Sequence, residues 1–173
     1  LTILMNTFHN LFIHVCHEVA MEFINGVKDE SKLKVIVGDD TIMQTVDPEL
    51  FIQVAKIIGH DTTTEKGTLF NGVTFLSMKL RKVGTNIACY YANLDKMYAS
   101  LVYTTGGTDE YFQKLCSFIN LLTFAPKGSI EHTWLQNINI HAQYLLTLGE
   151  VSKGIAGAYK PIYLVKRSRY GYQ

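Results

Sequence analysis

Cysteine is scarce in this chain of 173 residues. Cys16, Cys89 and Cys116 are an odd number with no Cys-x-x-Cys spacing, which argues against a disulfide framework or a zinc knuckle and for a reducing compartment, by default the cytosol. An excess of charge of one sign is missing too. With 16 Lys+Arg against 15 Asp+Glu, the net charge of +1 excludes a uniformly basic nucleic-acid coat. No basic stretch precedes the opening apolar residues, as a signal peptide would require. That opening is interrupted by Asn6, His9, Asn10, His14, His17 and Glu18, too polar a set for a transmembrane segment. There is no internal repeat, glycine-rich phosphate loop, nucleophile elbow or paired Ser/Cys and His arrangement. The chain begins at a leucine with its first methionine at Met5, and is expected to be a piece of something longer.

What is present suffices for about one ordinary domain, since 47% hydrophobic and 18% charged residues can bury a core. Charge is unevenly placed. Residues 151–173 carry five basic side chains and no acidic one, leaving the first 150 with 11 basic against 15 acidic. Leu4, Phe8, Leu11, Val15, Val19 and Phe23 recur at steps of three and four, which predicts a helix over residues 2–24 with that stripe as its apolar face. Thr2, Asn6 and Asn10 form a polar row on another face, and Asn25-Gly26 is the expected stop. Residues 32–37 and 41–45 read as strands around Gly38-Asp39-Asp40, a hairpin with two aspartates at its tip. Asp47-Pro48 caps a helix running to Gly59. Residues 73–79 and 83–91 read as a second hairpin with Arg81-Lys82 between the strands. From Leu94 the pattern is helical, over residues 94–103, 109–124 and from Ser129 or Glu131 to about Leu148. The fold class expected is α+β, mixed up to residue 92 and helical beyond it.

Two adjacent carboxylates on a tight hairpin make a rigid site for hard, oxygen-loving cations such as magnesium or manganese. A solvated Asp-rich turn has the same composition. Gly38 before them permits close approach of another backbone. His14 and His17 share a helix face, but with no third ligand at a zinc-like spacing they read as core or partner-facing residues. Tyr90, Tyr91, Tyr98 and Tyr103 read as packing rather than a base-stacking platform. The terminal mixture of Tyr159, Lys160, Tyr163, Lys166, Arg167, Arg169, Tyr170 and Tyr172 suits either an RNA-contacting arm or a solvated end.

The order of these features resembles a viral RNA-dependent RNA polymerase of the positive-strand, picornavirus-like kind. Leu1-Thr2-Ile3-Leu4-Met5-Asn6 looks like the end of the Ser-Gly-x-x-x-Thr-x-x-x-Asn signature of motif B, and Val35-Ile36-Val37-Gly38-Asp39-Asp40 resembles motif C. Lys56-Ile57-Ile58-Gly59 and Thr64-Glu65-Lys66 are similar to motif D. Residues 71–79, Asn-Gly-Val-Thr-Phe-Leu-Ser-Met-Lys, look like motif E, with Ser77-Met78 standing where many relatives have basic residues.

The resemblance covers residues 1–92 and implies the C-terminal part of a polymerase palm (helix, Gly-Asp-Asp hairpin, helix, motif E hairpin), with residues 93–173 as a helical thumb. It implies transfer of nucleotides from nucleoside triphosphates to an RNA 3′ end, on template and primer RNA, with magnesium or manganese as cofactor. Asp39 and Asp40 would be the metal ligands and Lys66 a proton donor to the leaving pyrophosphate. Thr2 and Asn6 would meet the nucleotide, Asn6 reading the ribose 2′-hydroxyl. Gly38, Phe75, Leu76, Lys79, Lys166, Arg167 and Arg169 would contact RNA. The fingers and remaining palm, with the motif A aspartates, would lie upstream, so the chain alone is expected to be inactive. The implied location is the host cytoplasm, in replication complexes. Two rivals carry other predictions: a non-enzymatic α+β RNA-binding or scaffold domain, and a reverse transcriptase palm. Val37-Gly38-Asp39-Asp40 and Asn6 argue against the second.

Overall fold

The structure, a computed structural model, describes residues 1–26, 28, 33–68 and 70–158. They form six helices and two two-stranded antiparallel sheets, an α+β fold. The chain divides into two compact units, Leu1–Lys66 and Gly67–Gln173, so the change from mixed to helical pattern near residue 92 falls inside the second.

In the first unit, helix α1 spans Thr2–Asn25 and stops where Gly26 turns left-handed at φ 64°, its N–H donating to the Glu22 carbonyl. Strand β1, Lys34–Val37, returns as β2, Asp40–Met43, with Val37 opposite Asp40. Residue 32, expected in the first strand, lies outside the described residues. The turn is the pair Gly38-Asp39, and Asp40 already belongs to the return strand. Only Gly38 has positive φ, at 61°, the pattern of a type II′ turn, whose twist matches that of the flanking strands. Helix α2, Pro48–Ile58, opens on Asp47, whose Oδ1 accepts from the Leu50 N–H at 3.0 Å, and closes at Gly59, φ 99°. Ile13 packs with Phe51 and Ala55, and Met21 with Leu50 and Val54.

The face that α1 turns inward is not the apolar stripe. Leu4, Phe8, Leu11, Val15, Val19 and Phe23 are all exposed, while Asn10, Ile13, His14, His17 and Met21 are buried. Both sets have helical spacing, so periodicity alone cannot choose between them. The choice follows from the hairpin, which presents backbone and hydroxyl groups that an apolar face would leave without partners.

In the second unit, strands β3, Met78–Val83, and β4, Asn86–Tyr91, pair in register from Met78 opposite Tyr91 to Val83 opposite Asn86. Gly84 supplies the positive φ for the two-residue connection, which places Arg81 and Lys82 within β3 rather than between strands. The expected strand over residues 73–79 is corrected as well, since a tight turn at Leu76-Ser77 separates Phe75 from Met78. Helices α3, Leu94–Val102, α4, Thr108–Leu122, α5, Ile130–Thr147, and α6, Lys153–Ala158, follow. Asn93 and Ser129 cap α3 and α5. Helix α4 starts from Gly107, one residue earlier than expected, and the Asp109 carboxylate accepts from the Ser152 N–H at 2.8 Å. The core forms where Phe112, Leu115 and Ile119 of α4 meet Leu135 and Ile138 of α5. Tyr91 packs against the Phe118 ring, whereas Tyr98, though its ring meets Trp134 edge-on, and Tyr103 are exposed.

Candidate functional site

The acidic turn is held by α1 from beneath. The Thr7 hydroxyl donates to the Ile3 carbonyl at 2.7 Å and accepts the Gly38 N–H at 2.8 Å. The Asn10 amide Nδ2 donates to the Gly38 carbonyl at 3.4 Å and to Thr41 Oγ1 at 2.8 Å. His14 Nε2 lies 3.1 Å from the same Thr41 oxygen. Both backbone polar groups of the buried Gly38 therefore end on side chains of α1, while Asp39 and Asp40 are exposed. A Cβ on Gly38 would meet nothing closer than Ile3 Cγ2 at 4.0 Å, so glycine is needed here for its positive φ and not for space.

His14 and His17 are core residues, their rings 4.7 and 5.4 Å from that of Phe51. Burial lowers the His14 pKa to about 4, with Lys34 and His17 pushing the same way and Glu18 opposing. The imidazole is thus neutral at physiological pH. Lys34 of β1 pairs with Glu18, a second tie between hairpin and helix.

Thr2 and Asn6 are exposed on α1, Asn6 one turn before Asn10. Thr7, Asn10 and His14 touch the hairpin, and of these only Asn10 belongs to the polar row legible in the sequence. Polar residues at steps of three and four on the side opposite the stripe are the signal that marks the other two. Lys66 pairs with Glu49 of α2 at 2.7 Å, both side chains being more than half exposed. Its loop starts near His60, which contacts His9 of α1 through the two Nε2 atoms, the rings 4.3 Å apart.

The remaining expected RNA contacts belong to the second unit or lie outside the described residues. Phe75 is half-buried, Lys79 faces Tyr90 across the β3–β4 pair, and Leu76 is exposed. Leu76 and Ser77 have φ of 52° and 60° in a turn closed by paired hydrogen bonds between Phe75 and Met78. Neither is a glycine or asparagine, so each costs on the order of 1–2 kcal/mol. Arg81 is tied to the Phe124 carbonyl at 3.0 Å, and Lys82 sits 5.1 Å from the centre of the Phe70 ring. Burial raises the pKa of Tyr90, with Glu131 adding and Arg81 opposing, and burial also raises that of Cys116. Lys166, Arg167 and Arg169 lie outside the described residues.

Asp39 and Asp40 offer hard oxygen donors at a fixed turn, a donor type that suits magnesium or manganese. Among the described residues no group of three His, Cys, Asp or Glu side chains is placed to hold a metal ion, so this pair is at most a partial ligand set. Nor, among them, is any helix long and apolar enough to cross a membrane. Comparison with family models, curated proteins and solved structures finds no match to the chain.

Proposed function

We propose that the chain is the C-terminal palm and thumb of a viral RNA-dependent RNA polymerase and supplies part of the centre that adds nucleotides to an RNA 3′ end. The observation that carries this reading is the Gly38-Asp39 turn with Asp40 opening the return strand, two exposed carboxylates on a hairpin whose glycine is fixed from below. The order of motifs in the sequence supports it.

Magnesium or manganese, when bound, would activate the 3′-hydroxyl and neutralise the triphosphate. Asp39 is the direct ligand in this scheme and Asp40 the supporting one. The third carboxylate comes from upstream palm sequence, which the fingers complete. Asn6, exposed on α1, has the donor and acceptor needed to test for a 2′-hydroxyl, and Thr2 helps to place it. Lys66 gives up Glu49 for the β-phosphate and protonates the leaving pyrophosphate. That exchange costs little, because an exposed ion pair contributes only about 0–1 kcal/mol. In this scheme Phe75, Leu76 and Lys79 of the second unit contact RNA and Lys166, Arg167 and Arg169 add phosphate contacts, while Gly38, buried with both backbone groups held by α1, supports the acidic turn. Template, primer and nucleoside triphosphates are the partners, and replication complexes in the host cytoplasm the setting.

The test is primer extension by a polymerase that carries this chain downstream of its fingers and motif A. Asp39→Ala should reduce nucleotide addition by about three orders of magnitude, as expected when several kcal/mol of charge stabilisation are lost, with RNA binding retained. Unchanged addition would refute the proposal, and RNA binding without any addition by the unaltered protein would favour a non-enzymatic RNA-binding domain.

A further inference from the structure

Helix α1 turns a polar face inward and leaves its apolar stripe outside, an inversion that needs a cause. Burying an amide, a hydroxyl and an imidazole is unfavourable unless each finds a partner. Two hairpin positions supply partners to this face. Gly38, immediately before the aspartates, receives Thr7 on its N–H and Asn10 on its carbonyl. Thr41, immediately after them, receives Asn10 and His14 on its hydroxyl. The acidic pair is therefore bracketed on both sides by one helix face, with Asn10 joining the two clamps.

We infer that Thr7, Asn10 and His14 are positioning residues which fix the two peptide planes flanking Gly38 and the Thr41 side chain beyond the aspartates, and so aim the two carboxylates at a divalent cation. The inference rests on the metal-binding reading of Asp39 and Asp40 given above. A two-residue turn with one positive φ can rock about its flanking bonds, and a carboxylate at its exposed position would sweep through several orientations. Holding both the N–H and the C=O of Gly38 removes that freedom before any cation arrives. Ligands pre-set in this way bind more tightly because less order has to be imposed on binding. Thr7 suits the task because its own proton is committed to the Ile3 carbonyl, so its oxygen can only accept from Gly38.

The experiment uses the 173-residue chain, with Mn2+ binding followed by the electron paramagnetic resonance of the free ion and Gly38 amide exchange followed by NMR. Thr7→Val keeps the side-chain shape and loses the hydroxyl, Thr7→Ser keeps the hydroxyl, and Asn10→Leu loses both donors. Thr7→Val and Asn10→Leu should each weaken Mn2+ binding about tenfold and speed Gly38 exchange at least tenfold, while Thr7→Ser stays within about twofold of the unaltered chain. Thermal unfolding of each variant accompanies these readings. A merely structural role would lower the melting temperature without moving Mn2+ affinity at temperatures where the variant is folded. If Asn10→Leu does not fold, Thr7→Val with its serine rescue carries the test. Equal Mn2+ affinity in Thr7→Val and the unaltered chain overturns the positioning role alone. No Mn2+ binding by the unaltered chain overturns the metal reading of Asp39 and Asp40, and the positioning role with it.

Discussion

Helix α1 and helix α4 have similar apolar content and opposite orientations. In α4 the residues spaced at three and four, Phe112, Leu115, Cys116, Ile119 and Leu122, face the core, as an amphipathic helix should. In α1 the comparable stripe faces outward, and Asn10, His14 and His17 go in together with Ile13 and Met21. The neighbours account for the difference. Helix α4 packs chiefly against α5, whose backbone groups are already satisfied internally, so apolar area decides its inward face. Helix α1 divides its inward face: Ile13 and Met21 pack on α2, while Thr7, Asn10 and His14 meet the hairpin, whose N–H, carbonyl and hydroxyl they satisfy. A buried face is thus selected by what it must bond as well as by the apolar area it covers.

The largest effect that could break this contrast is a pair of truncations. Phe112→Ala in α4 should destabilise the protein by about 3–5 kcal/mol, the range for a fully buried aromatic, whereas Phe23→Ala in α1 should stay within about 0.5 kcal/mol. Urea unfolding of both variants measures it. A cost of several kcal/mol for Phe23→Ala would show that the stripe is packed.

Next in size is the pH response of His14. Its folded pKa of about 4 lies below the ordinary 6.5, so between those values the unfolded chain takes up a proton that the folded chain refuses. Stability from this group is complete above about pH 6.5 and falls as pH drops toward 4. The loss is on the order of 3 kcal/mol, at 1.36 kcal/mol per unit. His14→Gln should remove that part of the pH dependence of urea unfolding, and an unchanged profile would place the response elsewhere.

The two helices also show how far the sequence could be read. The stop of α1 at Gly26 and the whole of α2, from Asp47 to Gly59, were legible because capping is local chemistry carried by one or two residues. The Gly38 hairpin was legible for the same reason. The inward face of α1 was not, because it depends on hydrogen bonds spanning 27 to 31 residues of sequence. The break between Phe75 and Met78 was hidden as well, since Leu76-Ser77 carries none of the residues that ordinarily mark a turn with two positive φ values. Arg81-Lys82 looked like a connection by composition, while the real one uses Gly84.

Smaller effects sharpen the comparison at the periphery. Glu49→Ala should cost less than about 1 kcal/mol, because its bond to Lys66 is solvent-exposed, and thermal unfolding checks this. Lys66→Leu in the intact polymerase should slow nucleotide addition while leaving RNA affinity nearly unchanged, since a proton donor acts on the transition state. Deleting residues 166–173 removes three cations and should make the salt dependence of RNA binding shallower by about two in log–log slope. An unchanged slope would assign that segment to solvent.

The most direct test of the central claim, that the turn at Asp39 and Asp40 is a divalent-metal site, is iron-mediated cleavage of the 173-residue chain. Fe2+ takes the place of magnesium or manganese, and with ascorbate and peroxide it cuts backbone next to wherever it is held. Cleavage at residues 38–41, suppressed by excess Mn2+ and lost in Asp39→Asn, is the predicted result. Cleavage that avoids the turn, or that persists unchanged in Asp39→Asn, would contradict the account.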